Sequence, residues 1–245
     1  MNFVPDDWLA SLMHIPVYRV EVTTAEALDT VQSMPVPADG RVFFYTKIPV
    51  ENVNQTMALT KAGFNIVDVN VQFERLPSKM PAVISQNMMI RQASPSDEYT
   101  VLNIAGSCFR YSRFHLDPLI NHSLANTIKQ EWIASYINKT RGVRLLVAEI
   151  EGVVVGFLAV LIDNSRRETA IVDLIGVDPS WQGRSVGQEL INYLIMDSID
   201  KYACIRVGTQ IANIPSLRLY EKCGFHVASA AYVLHAHFST EQIIQ

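Results

Sequence analysis

The chain has 245 residues and a formal net charge of −4, with no dense run of lysine or arginine. This acidic balance argues against a protein that binds the phosphate backbone of nucleic acids. Because almost half of the residues are apolar, the chain has enough material for one large buried core or two small ones.

Three widely spaced cysteines, Cys108, Cys204 and Cys223, fit neither a disulfide framework nor a zinc site. They favour a reducing, cytoplasmic location. The N-terminus lacks the basic start and apolar block of a signal peptide, and no apolar run reaches the roughly 18 residues of a membrane span. We therefore expect a protein whose partners are neither membranes nor nucleic acids.

The first eighty residues predict a small α/β unit. Strand patterns cover residues 17–22, 41–46 and 65–74, and a short helix over residues 51–61 ends before Gly63. Residues 75–86 include Pro77 and Pro81 among small and polar residues, which is typical of a linker. The expected domains are therefore residues 1–80 and residues 87–245.

The second domain opens with a strand over residues 88–92. Ser94 to Asp97 supply helix-start chemistry for a helix to about Phe109, and a second helix covers residues 119–138. A hairpin over residues 143–150 and 153–162 precedes an alternation of strand and helix over residues 169–177, 187–202, 205–210, 213–222 and 227–238. This order predicts an α/β fold with a mixed, mostly antiparallel central sheet flanked by helices on both faces.

The loop between residues 177 and 187 joins a buried strand to a helix and is a candidate phosphate site. Gly183 and Gly187 permit tight turns and close approach of a ligand. The free amides at the helix start, where the helix dipole is positive, can hold a pyrophosphate without a basic patch, and Arg184 can add a charged contact. An ordinary strand-to-helix turn remains the alternative, because a glycine-rich turn alone is weak evidence.

Two polar residues follow on the last helix. Asn213 is placed to cap the helix, with Pro215 in its first turn. Tyr220 lies two turns later on the same side and has a hydroxyl suited to protonating a departing thiolate. Each also has a plain structural explanation: Asn213 as a cap alone, and Tyr220 as a packing residue.

The run LIGVDPSWQGRSVGQELI and the later run IRVGTQIANIPSLRLYEKCGF resemble the cofactor core of the GNAT superfamily of N-acetyltransferases. The family pattern Gln/Arg-x-x-Gly-x-Gly/Ala corresponds to residues 182–187, with Ser185 in place of the first glycine. The resemblance covers about residues 88–238. It implies an acyl-CoA-dependent N-acyltransferase with acetyl-CoA or another short-chain acyl-CoA as co-substrate and no metal.

Further stretches resemble the branch of this family that acylates the amine of a dTDP-linked amino-deoxy sugar. They are SRFHLDP from Ser112, IRVGTQ from Ile205, SAAYVLH from Ser229, and AGFNIVD, which ends at Asp68. The acceptor implied is a dTDP-amino sugar. An amino acid, a polyamine, an antibiotic or a protein N-terminus stays open as the acceptor, as do a non-catalytic acyl-CoA sensor and a structural domain with a vacant loop.

The resemblance assigns roles to named residues. Tyr220 is the expected general acid, and Asp68 is the candidate base, acting through water, unless it is only a solvated carboxylate at a strand edge. The expected acyl-CoA contacts are Ile175, Gly176, Val177, Gln182, Gly183, Arg184, Ser185, Val186, Gly187, Gln188, Asn213 and Ser216. The expected substrate contacts, or else packing residues between domains, are Phe109, Tyr111, Arg113, Phe114, His115 and Gln210.

Two expectations concern the C-terminal strand. Its histidines, His226, His235 and His237, are interpreted as surface or edge residues rather than metal ligands. The strand itself is long and apolar, so an exposed edge could pair with a second subunit in a homodimer.

Overall fold

The computed structural model describes residues 1–22, 35, 40–78, 87–163 and 168–239. Residues 79–86 of the expected linker lie outside the described residues. The strands are β1 Asn2–Pro5, β2 Val17–Glu21, β3 Arg41–Pro49, β4 Asn65–Arg75, β5 Met88–Gln92, β6 Arg144–Ile150, β7 Val153–Asp163, β8 Thr169–Val177, β9 Cys204–Gln210 and β10 His226–Ser239. The α-helices are α1 Asp7–Met13, α2 Val53–Lys61, α3 Glu98–Ala105, α4 Arg113–Leu116, α5 His122–Ile137, α6 Val186–Asp197 and α7 Ile214–Lys222.

All ten of these strands belong to one sheet, in the order β1-β2-β3-β10-β4-β9-β8-β7-β6-β5. Among these ten strands, the pairs β2–β3 and β8–β9 are parallel, and the other seven neighbouring pairs are antiparallel. The expected mixed, mostly antiparallel sheet is confirmed. Strands from both expected domains hydrogen-bond to each other, so the sheet is continuous across the expected domain boundary at residues 80–87. The division into two domains stays a prediction.

Strand β4 lies between β9 and β10, although it comes from the N-terminal segment. It pairs with β9 from Asn70 opposite Gln210 to Arg75 opposite Ile205. Its other edge pairs with β10. The N-terminal segment therefore completes the sheet that carries the predicted site.

Strand β10 is also an interior strand. It pairs with β3 along residues 231–239 and with β4 along residues 226–235. Both of its edges are paired over most of their length, so the strand does not offer the long exposed edge that suggested a homodimer. The homodimer stays a prediction without that support.

Helices cover both faces of the sheet because residues along its central strands alternate between two cores. Leu146 and Leu158 pack with Leu190 of α6 on one face. Leu145 and Phe157 face the opposite side and pack with helices α3 and α5. This arrangement holds β7 and β8 rigidly between two apolar layers, which fixes the position of the loop that follows β8.

Some predicted boundaries were wrong. The helix expected to reach Phe109 ends at Ala105, and the helix expected to run to residue 202 ends at Asp197. The expected helical face that included Ile199 therefore extends beyond the helix. Strand β1 and helix α1 were missed, although Asp6 caps α1 by accepting a hydrogen bond from the amide of Leu9.

Candidate active site

The parallel strands β8 and β9 separate part of the way along their length. They pair from Thr169 opposite Cys204 to Val172 opposite Val207, and no further. Beyond this point β8 continues to Val177 while its other edge stays paired with β7. Residues 173–177 of β8 thus present a free backbone edge to an opening between the two strands, to which an extended ligand can add as a strand would.

The loop after β8 ends this opening. A helical turn over Pro179–Trp181 is capped by Asp178, and the chain then enters α6 at Val186. Ser185 adopts the left-handed conformation with φ of 63°, and Gly183 has φ of 76°. The serine that replaces the family glycine therefore occupies a conformation that glycine adopts without strain and other residues adopt at a cost.

The amides of this loop are available to a ligand. Among the described residues, none of the backbone N–H groups from Gly183 to Gln188 donates a hydrogen bond to another group, and the first helical bond joins the amide of Glu189 to the oxygen of Ser185. Helix starts leave such donors free and carry partial positive charge. The loop has the geometry of a phosphate site.

Side chains around the loop hold it in place. The amide nitrogen of Gln182 donates to the carbonyl of Val177 at 3.2 Å. The guanidinium of Arg184 lies 4.9 Å from the ring of Trp181 and is not part of the cavity wall. A Cβ at Gly187 would lie 3.4 Å from Leu219, which is an ordinary van der Waals contact, so the space around this residue does not require a glycine.

Helix α7 supplies the polar residues of the opposite wall. The side chain of Asn213 caps the helix by accepting from the amide of Ser216 at 3.3 Å, which confirms the expected cap. Tyr220 is 2 % exposed and packs against Phe73 and Phe225. Its hydroxyl has no hydrogen-bond partner among the described residues, although the side chain lines the cavity. Burial, and then the neighbouring thiol of Cys223, raise the pKa of Tyr220.

These elements enclose one cavity of about 690 Å³. It brings together Tyr220 and most of the predicted contacts for acyl-CoA and for the acceptor. The predicted residues that line it are Phe109, Tyr111, Arg113, Phe114, Ile175, Gly176, Val177, Gln182, Gly183, Ser185, Val186, Gly187, Gln188, Gln210, Asn213, Ser216 and Tyr220.

Asp68 and His115 do not line this cavity. Asp68 lies on β4, two residues before the lining residue Asn70, and burial raises its pKa. Its Oδ2 has no hydrogen-bond partner among the described residues. The ring of His115 is buried, with Nδ1 2.6 Å from the hydroxyl of Ser112 and Nε2 2.9 Å from the side-chain oxygen of Asn126. Both nitrogens of His115 are occupied, so its surroundings are those of a structural residue.

Three lining residues that the sequence did not single out are Lys47, Lys129 and Asp173. The carboxylate of Asp173 accepts hydrogen bonds from Trp132, Tyr136 and Arg141 at 2.7–2.8 Å. Burial opposes its ionisation, but the hydrogen bonds from Arg141, Trp132 and Tyr136 and the charge of Arg141 together outweigh burial and lower the pKa of Asp173. These three residues come from three different elements of secondary structure. A single charged residue within a helix or strand pattern does not indicate a binding site, so the sequence alone could not identify them.

Of the histidines of β10, His226 is exposed as expected, whereas His235 is not. His235 is 1 % exposed, and its Nδ1 lies 2.6 Å from Oδ2 of Asp117. The Nε2 of His237 lies 2.8 Å from the same oxygen. His235 is thus a core residue, because β10 is an interior strand. The ligand atoms of Asp117, His235 and His237 lie within 4.8 Å of one another, which is a spacing found around metal ions. However, Nη1 of Arg113 lies 3.4 Å from Nε2 of His235, and the positive charge of this guanidinium opposes a cation there.

The described part of the chain contains no helix with the length and apolar character needed to span a membrane.

Comparison with known proteins agrees with this geometry. The acetyltransferase (GNAT) family profile matches residues 100–225. The chain belongs to the GNAT acetyltransferase family, and it is an acyl-CoA-dependent N-acyltransferase. The family uses acetyl-CoA as co-substrate.

Two similar proteins have names that indicate different functions. The spore coat polysaccharide biosynthesis protein SpsD of Bacillus subtilis is 27 % identical over 211 residues, which are 86 % of this chain and 70 % of SpsD. The L-amino acid N-acetyltransferase AaaT of Escherichia coli is 32 % identical over 89 residues, which are 35 % of this chain and 55 % of AaaT. In fold, the chain is similar to the GCN5-related N-acetyltransferase from Sphaerobacter thermophilus, with a TM-score of 0.63 at 13 % identity over 96 % of this chain and 75 % of that one.

Proposed function

We propose that acyl-CoA lies in the opening between β8 and β9. Its pyrophosphate binds the free amides of the loop from Gly183 to Gln188, and its pantetheine arm adds to the free edge of β8 at residues 175–177. The observation that carries the proposal is that this edge and these amides belong to one cavity. The same edge offers backbone groups that polarise the thioester carbonyl.

Asn213 and Ser216 hold the pantetheine arm from the side of α7. The Oδ1 atom of Asn213 is used by its own helix cap, whereas its Nδ2 atom has no partner among the described residues. That nitrogen is free to donate to a pantetheine amide oxygen. Ser216 lines the cavity one turn later and offers its hydroxyl.

Tyr220 acts as the general acid. The acceptor nitrogen attacks the thioester carbon, a C–N bond forms, the C–S bond breaks, and the leaving sulfur takes the phenolic proton. The phenol of a tyrosine is protonated at neutral pH, and burial, which raises the pKa of Tyr220, makes it a weaker acid than a tyrosine in water. It can donate to a thiolate whose thiol has a pKa of about 8.5, as a cysteine does, and regain its proton from water.

Asp68 is the proposed base, acting through water from beyond the cavity wall. Its unpartnered Oδ2 and its raised pKa suit a carboxylate that accepts a proton. The variant Asp68→Asn tests the role: the base assignment requires kcat to fall at pH values where the carboxylate of Asp68 is ionised, and the acidic limb of the pH profile to disappear. If the pH profile of kcat were unchanged, Asp68 would not be the base, and orientation of the amine beside the thioester would account for the rate enhancement.

The proposed acceptor is the amine of a dTDP-linked amino-dideoxy sugar, with acetyl or another short acyl group transferred. The stretches around Ser112, Ile205 and Ser229 support this choice, as does the similarity to SpsD, a polysaccharide biosynthesis protein. Tyr111 is exposed at the cavity and offers a ring on which a base can stack, and Gln210 offers polar contacts.

A free amino acid is the second candidate acceptor. The similarity to AaaT favours it, although that match covers about a third of this chain. A sugar nucleotide and an amino acid are separated by direct assay.

The test is calorimetric titration with acetyl-CoA, followed by release of free thiol in the presence of each acceptor. We expect acetyl-CoA to bind and thiol to appear with a dTDP-amino sugar. Binding with release only on amino acids would select the second candidate. Absence of acetyl-CoA binding would overturn the assignment of the loop.

A further inference from the structure

Three of the cationic side chains that line the cavity come from elements other than the phosphate loop and helix α7. Lys47 comes from β3, Arg113 from α4 and Lys129 from α5. Their charges act on one another: Arg113 disfavours the charged form of both lysines. This chain therefore concentrates like charge in one place, which costs free energy unless an anion is bound there.

Lys129 is the most deeply placed of the three. Its side chain is 6 % exposed, and its ammonium lies 4.6 Å from the ring of Trp132 and 5.1 Å from the ring of Phe109. Within the described residues it makes neither a hydrogen bond nor an ion pair. Burial, and then the charge of Arg113, lower the pKa of Lys129 to about 8. Buried lysines normally form an ion pair or a hydrogen bond. Because Lys129 forms neither, an anionic ligand can supply the missing partner.

The other two cations have only neutral close partners. The Nζ of Lys47 lies 3.3 Å from the side-chain oxygen of Asn70. Arg113 lies 3.9 Å over the ring of Tyr45 and donates to the Nε2 of His235. No ion pair within 4.0 Å involves any of the three cations in the described ranges.

The carboxylates around the cations are already bonded to other groups. Asp173 accepts from Trp132, Tyr136 and Arg141, and Asp117 is shared by two histidines. Asp6 accepts from the hydroxyl of Tyr45. Their negative charges act on the cluster from a distance, Asp6 and Asp117 on Arg113 and Asp173 on Lys129, but among the described residues none of these carboxylates forms an ion pair with a cation of the cluster.

The position of the cluster relates it to the acceptor rather than to the pyrophosphate of acyl-CoA. Lys129 contacts Trp132, and Trp132 donates to Asp173, near the point where β8 and β9 separate. The phosphate loop begins after Val177, at the other end of the free edge. An acyl-CoA lying along β8 therefore points its acyl group toward the three cations.

We propose that Lys47, Arg113 and Lys129 form an oxyanion site that holds a phosphate or carboxylate group of the acceptor beside the amine to be acylated. This inference rests on the proposed function. An anchored anion fixes the amine next to the thioester, which lowers the entropy cost of the attack. Amines without an anion, and polycationic amines above all, are rejected because they leave the cluster uncompensated.

The first test compares acceptors in matched pairs with acetyl-CoA as donor. The 1-phosphate of a 4-amino-4,6-dideoxyhexose is paired with the methyl glycoside of the same amino sugar, and L-phenylalanine with L-phenylalaninamide. We expect the anionic member of one pair to exceed its neutral partner in kcat/KM by about 10- to 100-fold, as for the loss of a charge-assisted hydrogen bond. The pair that shows the ratio identifies the anion as phosphate or carboxylate.

Equal rates within both pairs would overturn the proposal while leaving acyl transfer itself intact. A requirement for succinyl-CoA in place of acetyl-CoA on neutral amines would also overturn it, because the anion would then belong to the acyl group. Absence of turnover with every amine would instead count against the proposed function. The phosphate experiment below tests the oxyanion site without turnover.

The second test uses variants. Lys129→Met keeps the length of the side chain and removes its charge, and Lys61→Met is the matched control on an exposed helix end. We expect Lys129→Met to raise the acceptor KM by about 10- to 100-fold with an unchanged Kd for acetyl-CoA, which also verifies folding. Lys129→Arg should restore much of the loss, and Lys61→Met should behave as the unaltered chain does.

Inorganic phosphate tests the site without acyl transfer. We expect phosphate to raise the Tm of the unaltered chain and of Lys61→Met, and to raise that of Lys129→Met less, since a ligand stabilises the state that binds it. Equal shifts in all three proteins would place the phosphate elsewhere and count against the site.

Discussion

Val172 lies opposite Val207, and this pair is the last in the parallel ladder between β8 and β9. The strands continue for several residues without bonding to each other, so backbone groups of β8 that would belong to a sheet face a cavity instead. Buried backbone groups are otherwise paired in proteins. The opening therefore contains unpaired backbone groups of β8, to which a ligand can form hydrogen bonds.

Tyr220→Phe removes the proposed acid and keeps the ring. We expect kcat to fall by about 100-fold or more, in the range for general acid catalysis, with the Kd of acetyl-CoA unchanged. Steady-state kinetics and calorimetry measure the two quantities. Tyr99→Phe, at a tyrosine that is 78 % exposed, serves as the control. Full turnover of Tyr220→Phe at every pH would exclude the acid role.

Ser185→Val places a β-branched residue at a left-handed position. Because that conformation costs about 1–2 kcal/mol for ordinary residues and is worse for branched ones, we expect the loop to shift and the Kd for acetyl-CoA to rise by about tenfold or more. Ser185→Gly restores the family pattern and should bind at least as tightly as the unaltered chain. If calorimetry gave the same Kd for Val and Gly at this position, the loop conformation would not matter for binding.

Gly176→Ala crowds the floor of the cavity. A Cβ there would lie 2.6 Å from Cε1 of Phe157 and 2.9 Å from Sγ of Cys108. We expect the free energy of unfolding to fall by about 1–3 kcal/mol, as for other overpacked cores, and denaturant melts measure it. Adding Phe157→Leu makes room and should give a double variant more stable than the sum of the two changes predicts. Strict additivity would argue against the clash.

The affinity for the acceptor should depend on pH through Lys129. Its pKa is about 8 because burial opposes the charged form. Below pH 8 the ammonium is charged and attracts an anion, and above pH 8 it loses its proton. The acceptor KM is therefore expected to rise as the pH increases through this value. In Lys129→Arg the side chain stays charged, so the rise should become smaller; part of it should remain, because burial and the charge of Arg113 lower the pKa of Lys47 to about 8 as well. An identical rise in both proteins would assign it to another group.

The fragment of residues 87–245 lacks β4, which pairs with both β9 and β10. We expect this fragment alone to aggregate or to lack a cooperative unfolding transition, because two strand edges lose their partner. Co-expression with residues 1–80 should restore a folded complex that binds acetyl-CoA. A fragment that melts cooperatively by itself would support two independent domains.

Local sequence patterns predict much of this fold. The strands Met88–Gln92 and Thr169–Val177 were expected at the same residues, because apolar runs bounded by turn residues depend on short-range signals. Asn213 was recognised as a cap for the same reason. The position of β10 between β3 and β4 could not be predicted, since pairing between distant segments leaves no mark in either one.

The candidate site likewise contains residues that the sequence predicts and residues that it does not. The loop around Ser185 and the helix with Tyr220 are close in sequence and have a family pattern. Lys47 and Lys129 are each an ordinary lysine in a strand or helix, and only the tertiary structure brings them to Arg113. The burial of His235 likewise depends on the neighbours of β10 rather than on its own residues.

The order of the strands also bears on synthesis. During translation β3 and β4 leave the ribosome early, and β10, which lies between them, is among the last elements to emerge. Until it does, two strand edges wait for a partner, and such edges expose a nascent chain to misassembly. Contacts between segments so far apart in sequence also slow folding. Completion of the sheet, and with it a competent enzyme, therefore has to wait until β10 has left the ribosome.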